Sequence, residues 1–185
     1  MLVLASASPR RRELLEATGI EFAVQPADVP EVPRPGEEPR VYAERLAREK
    51  AMAVFRQRPA DIVLGADTVV VVDEHILEKP RDAADAARML RMLSNREHFV
   101  TTGVALIGAT FEDLASETTR VKMSEISDDE IRAYISTGEP MDKAGAYAIQ
   151  GIAARWITRI EGDYSNVVGL PVALVWRMLR EHGVG

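Results

Sequence analysis

Apolar runs of the strand type alternate along the chain with amphipathic stretches of the helix type. Residues 1–5 form a short apolar run, and residues 62–72 hold two β-branched runs divided by Gly-Ala-Asp-Thr. From Arg40 to Arg56, apolar residues recur at the spacing of one helix face. Ser8 and Pro9 have the residue types of an N-cap and a first helical position. The pattern predicts strands alternating with helices, and therefore a mixed α/β protein.

The remainder of the chain continues this alternation. Asp82 with Asp85 predicts the start of a helix, and Ser127 to Glu130 has the sequence of a capping box, opening a helix that stops at Gly138. The other predicted elements are paired strands at 98–108 and 114–123, short strands and loops at 141–170, and a last helix from Pro171. Five prolines and a glycine in 26–40 predict an ordered surface loop or flap.

Composition and charge narrow the function classes. The chain has 185 residues, no cysteine and a net charge of −6, so disulfides, zinc-thiolate sites and cysteine nucleophiles are excluded. An acidic protein is not expected to bind nucleic acid through its overall field. No apolar run approaches the length of a membrane span, and the N-terminus lacks the pattern of a signal peptide. We therefore expect a cytoplasmic protein that binds neither nucleic acid nor membrane.

Three arginines fall in the first turn of the first predicted helix, within residues 4–15. Cations are locally unfavourable at a helix N-terminus, unless an anion is bound there by free N–H groups, hydroxyls and guanidinium groups. Ser6 and Ser8 would supply the hydroxyls. A solvated basic turn with Ser8 as an ordinary cap explains this segment equally well. No P-loop or dinucleotide-binding glycine motif occurs in the chain.

Asp67 is a carboxylate between two strongly apolar runs. Because an unpaired buried carboxylate is costly, Asp67 is expected at a strand end or a bulge permitted by Gly65, facing a cation or a cleft. The alternative is an aspartate that caps backbone N–H groups in a hairpin. The apolar flanks favour a functional carboxylate.

Other candidate side chains carry weaker signals. Lys50 lies on the inward stripe of its helix, but taken alone it is best explained as a side chain that extends along the helix edge to solvent. Lys79 and Glu31 have no distinguishing context of their own. The histidines lack metal-ligand spacing and are expected on the surface or in loops; they are His75, His98 and His182.

Residues 142–151 read DKAGAYAIQG, a glycine-hinged segment in which Gln150 could hydrogen-bond a ligand. Taken alone, the segment is better explained as a turn with Tyr147 in the core. Trp156 and Trp176 lie among apolar residues and are likewise expected in the core.

Taken together, these segments resemble the Maf family of nucleoside triphosphate pyrophosphatases, in the inosine triphosphatase-like superfamily. The matching blocks run nearly end to end: LASASPRR at 4–11, RLAREKA at 45–51, GADTVVVVDEHILEKP at 65–80, STGEP at 136–140, DKAGAYAIQG at 142–151 and VVGLP at 167–171. The resemblance implies a single α/β mixed-sheet domain over residues 1–185, with a cleft between two lobes.

The resemblance also implies an activity, the hydrolysis of a nucleoside triphosphate between the α and β phosphates with a divalent cation such as Mg²⁺, Mn²⁺ or Co²⁺. The motif match makes Asp67 the proton acceptor. It assigns the triphosphate contacts to Ser6, Arg10, Arg11, Lys50 and Lys79.

The form GAYAIQG is similar to that of the dTTP/UTP subtype, in which Arg10, Thr68 and Gln150 stand at the positions associated with specificity. Glu31 and Asp67 are the implied metal ligands. One departure affects Glu31: the family usually has Asp-Glu in the first loop, where this chain has Pro30-Glu31.

Two other functions remain open at this stage. One is a pyrophosphatase of the 7-methyl-GTP type, and the other is a nucleotide-binding regulator of cell division and septum formation without turnover. The resemblance further implies a homodimer and a house-cleaning role, whose substrates could include modified pyrimidine nucleotides.

Overall fold

A computed structural model describes residues 1–184 as an α/β protein, as the sequence pattern predicts. The strands are β1 (Leu2–Leu4), β2 (Phe22–Val24), β3 (Ile62–Val72), β4 (His75–Leu77), β5 (Glu97–Gly108), β6 (Phe111–Met123) and β7 (Ile157–Glu161). The α-helices are α1 (Pro9–Glu16), α2 (Pro39–Phe55), α3 (Ala83–Leu93), α4 (Asp128–Ser136), α5 (Tyr164–Val168) and α6 (Val172–Glu181). Three 3₁₀ turns span Glu139–Asp142, Ala144–Ala146 and Ile152–Trp156.

The strands form one mixed sheet of seven strands, in the order β2-β1-β3-β5-β6-β7, with β4 beside β3. The short strand β1 pairs in parallel with β2 and with β3, with Leu2 opposite Phe22 and Ile62. The pairs β3–β4 and β6–β7 are antiparallel. The parallel strands are joined by helical connections, as parallel pairing requires.

The chain divides into two compact units, each of which has its own core. The first unit comprises Met1–Thr68, Thr102–Glu117 and the chain from Gly169 onward, and the second comprises Val69–Thr101 and Thr118–Val168. The division falls within β3, β5 and β6, so these strands contribute residues to both units.

The first unit has apolar side chains on both faces of its strands. Leu64 of β3 packs in a cluster with α1 and α6, whereas its neighbour Val63 packs in a cluster with α2. Gly65 and Gly103 allow α2 to lie close to the sheet, because a Cβ on Gly65 would come within 2.2 Å of the Ala47 carbonyl oxygen. This contact corrects the expectation that Gly65 permits a bulge, since β3 continues unbroken through it.

The second unit packs α3 and α4 against its strands, with Tyr134 and Trp156 in edge contact in the core. The predicted capping box is present, with the Glu130 carboxylate accepting from the Ser127 N–H at 2.9 Å. The prediction for 141–170 is correct only in part, because the segment contains one strand but also 3₁₀ turns and the short α5.

Two side chains lie in environments that the sequence did not predict. Trp176 on α6 is 38 % exposed and is not a core residue. His98 is fully buried in β5 instead of lying on the surface or in a loop. Among residues 1–184, every helix is too short or too polar to cross a bilayer.

Candidate active site

The connection from β1 to α1 is a turn shaped by serine side chains. Ser8 is the N-cap of α1, as predicted, and its hydroxyl accepts a hydrogen bond from the Arg11 N–H at 3.5 Å. The hydroxyl of the buried Ser6 accepts from the Ser8 N–H at 3.1 Å. Since Pro9 follows directly, the first turn of α1 places Arg10 and Arg11 beside this hydroxyl-rich turn.

Arg11 is held by three uncharged acceptors. Its Nε donates to the Gly169 carbonyl oxygen at 2.8 Å, one Nη to Thr68 Oγ1 at 3.0 Å, and the other to Ser6 Oγ at 3.4 Å. Burial lowers the pKa of Arg11, while the charges of Asp67 and Glu31 oppose that shift. The guanidinium is thus fixed in place by acceptors that leave its charge intact, as an anion-binding arginine requires.

Lys50 forms a second, ionic cluster in the same unit. Its Nζ lies 2.6 Å from Asp67 Oδ1 and 2.6 Å from Glu31 Oε1. The side chains of Lys50 and Asp67 are each only 9 % exposed, whereas that of Glu31 is 41 % exposed. The reading of Lys50 as a side chain reaching solvent along its helix edge is therefore wrong, because α2 aims it inward at two carboxylates.

The environment of Asp67 raises the pKa of its carboxyl group. Burial is the main cause, and Lys50 and Arg11 oppose it through their charges. A carboxylate with a raised pKa is a stronger base than a solvated one. Asp67 therefore combines a buried position, a bound ammonium and increased basicity.

Asp67 faces a cation, as expected, but it does so from the interior of a strand. It lies within the continuous β3, neither at an end nor at a bulge. The neighbouring strand β1 pairs with β3 only as far as Leu64, so Asp67 stands three residues beyond that pairing. The ion pair with Lys50 compensates the free-energy cost of burying the Asp67 carboxylate, so the strand does not have to end or bulge at this residue.

The donor set suits a hard divalent cation. The carboxylates of Glu31 and Asp67 converge on one positive centre, the Lys50 ammonium. Within residues 1–184, no group of three or more His, Asp or Glu side chains is arranged to hold a metal ion. Magnesium is commonly bound through one or two carboxylates together with substrate phosphates, and these two residues fit that mode.

Lys79 and Gln150 belong to the second unit, and both are exposed. The Gly145 N–H donates to the Glu78 carbonyl oxygen at 3.1 Å, so the segment containing Tyr147 is bonded to the main chain next to Lys79. Gly145 has φ 70°, and Ala146 adopts the left-handed region with φ 61°, a conformation that few side-chain-bearing residues occupy. Tyr147 is buried, as predicted.

His98 is a partner of this segment that the sequence reasoning missed. Its Nε2 lies 2.7 Å from the Tyr147 hydroxyl, and its buried Nδ1 has no hydrogen-bond partner among the described residues. Burial lowers the pKa of His98 to about 4, so the ring is neutral near pH 7. Strand alternation was an available signal, since residue 98 shares the face of the buried Val100.

The first unit thus brings together most of the predicted site residues, namely Ser6, Arg11, Glu31, Lys50, Asp67 and Thr68. Arg10 is partly buried in the first turn of α1. The ligand-binding role of all these residues, and of Lys79 and Gln150, remains a prediction.

Comparison with known proteins gives a consistent result over almost the whole chain. The family described as Maf-like protein matches residues 1–182. A dTTP/UTP pyrophosphatase of Koribacter versatilis is 63 % identical over 99 % of this chain and 95 % of its own length. Proteins of the same description from Symbiobacterium thermophilum and Geobacter sulfurreducens are 52 % and 51 % identical, each over 98 % of this chain and 94 % and 96 % of their own lengths. The chain belongs to the Maf-like protein family.

Proposed function

We propose that this protein is a nucleoside triphosphate pyrophosphatase that hydrolyses dTTP and UTP to the monophosphate and pyrophosphate. The observation that carries the proposal is the buried pair of Asp67 and Lys50 near the partly buried Arg11, in which a basic carboxylate lies among fixed cations. The names of the relatives support the reaction class and the pyrimidine substrates.

The basic side chains are assigned to the phosphates. Arg11 is already oriented by Ser6, Thr68 and Gly169, so it binds an anion without first losing the freedom of its side chain. Lys50 supplies a compact charge to the same cluster, and Arg10 and Lys79 supply two further cations. Fixed cations stabilise the charge that develops on the leaving pyrophosphate.

Asp67 is assigned the role of accepting the proton of the attacking water. A water molecule attacks the α-phosphorus in line with the bridging oxygen, and its proton passes to the Asp67 carboxylate. The bond between the α-phosphorus and the bridging oxygen breaks, and its electron pair leaves with pyrophosphate. The raised pKa of Asp67 favours this proton transfer, because a more basic carboxylate takes a proton from water more readily.

Glu31 and Asp67 would hold a divalent cation, Mg²⁺, Mn²⁺ or Co²⁺, together with the substrate phosphates. When bound, the cation would supply positive charge to the phosphate oxygens. In the structure the Lys50 ammonium forms an ion pair with both carboxylates. The presence of Pro30 before Glu31 does not prevent that carboxylate from reaching the cluster.

Base preference is assigned to Arg10, Thr68 and Gln150. The exposed amide of Gln150 can both donate to and accept from a pyrimidine edge. Thr68 Oγ1 accepts a hydrogen bond from Arg11 and lies 2.9 Å from Thr102 Oγ1. Thr68 therefore acts on the nucleotide largely by orienting the Arg11 side chain. A homodimer and a cytoplasmic house-cleaning role remain predictions.

Pyrophosphate release from a nucleotide panel tests this function. We expect dTTP and UTP to be the best substrates among dTTP, UTP, CTP, purine triphosphates and 7-methyl-GTP, each assayed with Mg²⁺, Mn²⁺ or Co²⁺. Hydrolysis in ¹⁸O-water should label the monophosphate, because water attacks the α-phosphorus. Highest activity on 7-methyl-GTP would contradict the substrate assignment, and tight binding without turnover under any metal would support a regulator instead.

A further inference from the structure

The loop that carries Glu31 has little packing of its own. Between β2 and α2, none of residues 26–38 is buried, and residues 30–36 are all exposed. A segment of this kind is held by specific contacts and not by a core. Something outside the loop must therefore fix the position of Glu31 if its carboxylate is to act together with Asp67.

Arg45 of α2 makes such contacts. Its Nε and one Nη donate to the two oxygens of Glu37, at 2.6 and 2.7 Å, and the same Nη donates to the Val32 carbonyl oxygen at 3.1 Å. The side chains of Arg45 and Glu37 are only 14 % and 6 % exposed. This ion pair is shielded from solvent, unlike most surface pairs, so it restrains the chain more strongly.

The contacts of Arg45 lie next to Glu31, the residue assigned to the divalent cation. Val32 directly follows Glu31, whose own carboxylate is bound by Lys50, five positions after Arg45 on the same helix. The Arg34 N–H also donates to Glu37, at 3.0 Å, which closes the chain between residues 34 and 37. Two cations of α2, Lys50 and Arg45, therefore bind the consecutive loop residues Glu31 and Val32.

The Arg45–Glu37 pair stays charged over a wide pH range. The hydrogen bonds and charge of Arg45 lower the pKa of Glu37 to about 2, and Glu37 in turn raises the pKa of Arg45. Lysine could not reproduce the contact, because a single ammonium cannot donate in parallel to both carboxylate oxygens and also reach the carbonyl.

We propose that Arg45 is a positioning residue, which holds the 26–38 loop on α2 through Glu37 and Val32 so that Glu31 is presented to the Asp67 cluster. The inference rests on the proposed function, since it concerns the residue assigned there to the divalent cation. It adds a role for Arg45, the first residue of the block RLAREKA, that the site residues themselves do not include.

The test combines loop dynamics with kinetics in Arg45→Met, Arg45→Lys and the control Arg40→Met. Arg40 lies on the same helix and pairs with Glu44 at 2.9 Å, but its side chain is 69 % exposed. We expect hydrogen exchange of the hydrogen-bonded Arg34 and Glu37 amides to accelerate at least about tenfold in Arg45→Met, less in Arg45→Lys, and not in Arg40→Met. Unchanged exchange in a folded Arg45→Met would overturn the proposal, whether or not the protein hydrolyses dTTP.

A double-mutant cycle separates positioning of Glu31 from general stabilisation. Arg45→Met should raise the apparent metal concentration for half-maximal pyrophosphate release about tenfold, and should have little further effect in a Glu31→Gln background. Equal losses in both backgrounds would show that Arg45 acts on the fold and not through Glu31. Arg45→Lys, which keeps the charge, provides the same comparison if Arg45→Met does not fold.

Discussion

Each unit holds a cluster of buried polar side chains, and the two clusters differ in charge. In the first unit, Lys50, Asp67 and Glu31 form an ionic cluster near the partly buried Arg11. In the second unit, one buried polar pair is His98 with Tyr147, and both are neutral near pH 7 because burial lowers the pKa of His98 to about 4 and raises the pKa of Tyr147.

The contrast indicates different tasks. Burying ions is expensive and is seldom the best way to stabilise a fold, so a shielded ion pair of Lys50 and Asp67 suggests selection for chemistry on a charged substrate. A neutral hydrogen-bonded pair costs less and orders the chain around it. In the second unit, that chain is the glycine-hinged segment 142–151, which contains Gln150, the residue proposed to contact the base.

The largest expected effect comes from removing the central cation of the first unit. Lys50→Met should lower the free energy of unfolding by about 4 kcal/mol, because it leaves Asp67 buried without its counter-charge. Urea denaturation of the purified variant measures this loss.

Two further variants make the Lys50 result specific. Lys50→Met combined with Asp67→Asn should be more stable than Lys50→Met alone, since the uncompensated charge is gone. Arg48→Met removes another cation from α2, one whose ion pair with Glu112 is exposed, and should change stability by no more than about 1 kcal/mol. Equal losses of unfolding free energy in Lys50→Met and Arg48→Met would show that the buried ion pair of Lys50 differs in no way from an exposed one.

A pH series addresses the neutral pair in the second unit. The unfolded chain binds a proton on His98 with a pKa of about 6.5, whereas the folded chain does so only at about 4, so acid favours unfolding between these values. Lowering the pH from about 7.5 to about 5 should therefore cost the wild type about 2 kcal/mol more than His98→Gln, which does not titrate.

The matched control is His75→Gln, which removes an exposed histidine instead of a buried one. Parallel pH profiles for wild type and His98→Gln would mean that His98 is not held neutral by burial, and the contrast between the two units would fail.

The smallest expected effect concerns Gln150. Gln150→Ala should reduce the preference for dTTP over purine triphosphates by about tenfold in kcat/KM, and should leave stability within about 0.5 kcal/mol because the side chain is exposed. Steady-state kinetics on both substrates measures the change. The control Gln57→Ala removes an exposed glutamine of the first unit and should alter neither the substrate preference nor the stability. An unchanged substrate preference in Gln150→Ala would show that Gln150 does not recognise the base.

Local features of the fold could be predicted from the sequence because their causes lie within a few residues. The caps at Ser8 and Ser127 depend on hydrogen bonds that reach three residues along the chain. The inward stripe of α2 depends on helical periodicity alone. Gly65 shows the limit of such reasoning, since a missing side chain is visible in the sequence but the helix that fills its place is not.

Contacts between residues that are distant in the sequence could not be predicted from the residue pattern alone. A cation near Asp67 was expected from the cost of burial, but its identity as Lys50 depends on the packing of α2 on β3. His98 and Tyr147 are separated by 49 positions, and only the folding of the second unit brings them together. The family resemblance selected most of the site residues, whereas Arg45 became visible only through its contacts with the loop.

The most direct test of the account is pyrophosphate release from dTTP by wild type, Asp67→Asn and Asp85→Asn. Asp85 is a second buried carboxylate in an ion pair, with Arg88 at 2.7 Å, but it lies on α3 and is assigned no part in the reaction. We predict that Asp67→Asn lowers kcat by at least about 100-fold while Asp85→Asn retains most of the activity. Near-equal rates for wild type and Asp67→Asn would contradict the assignment of the proton to Asp67.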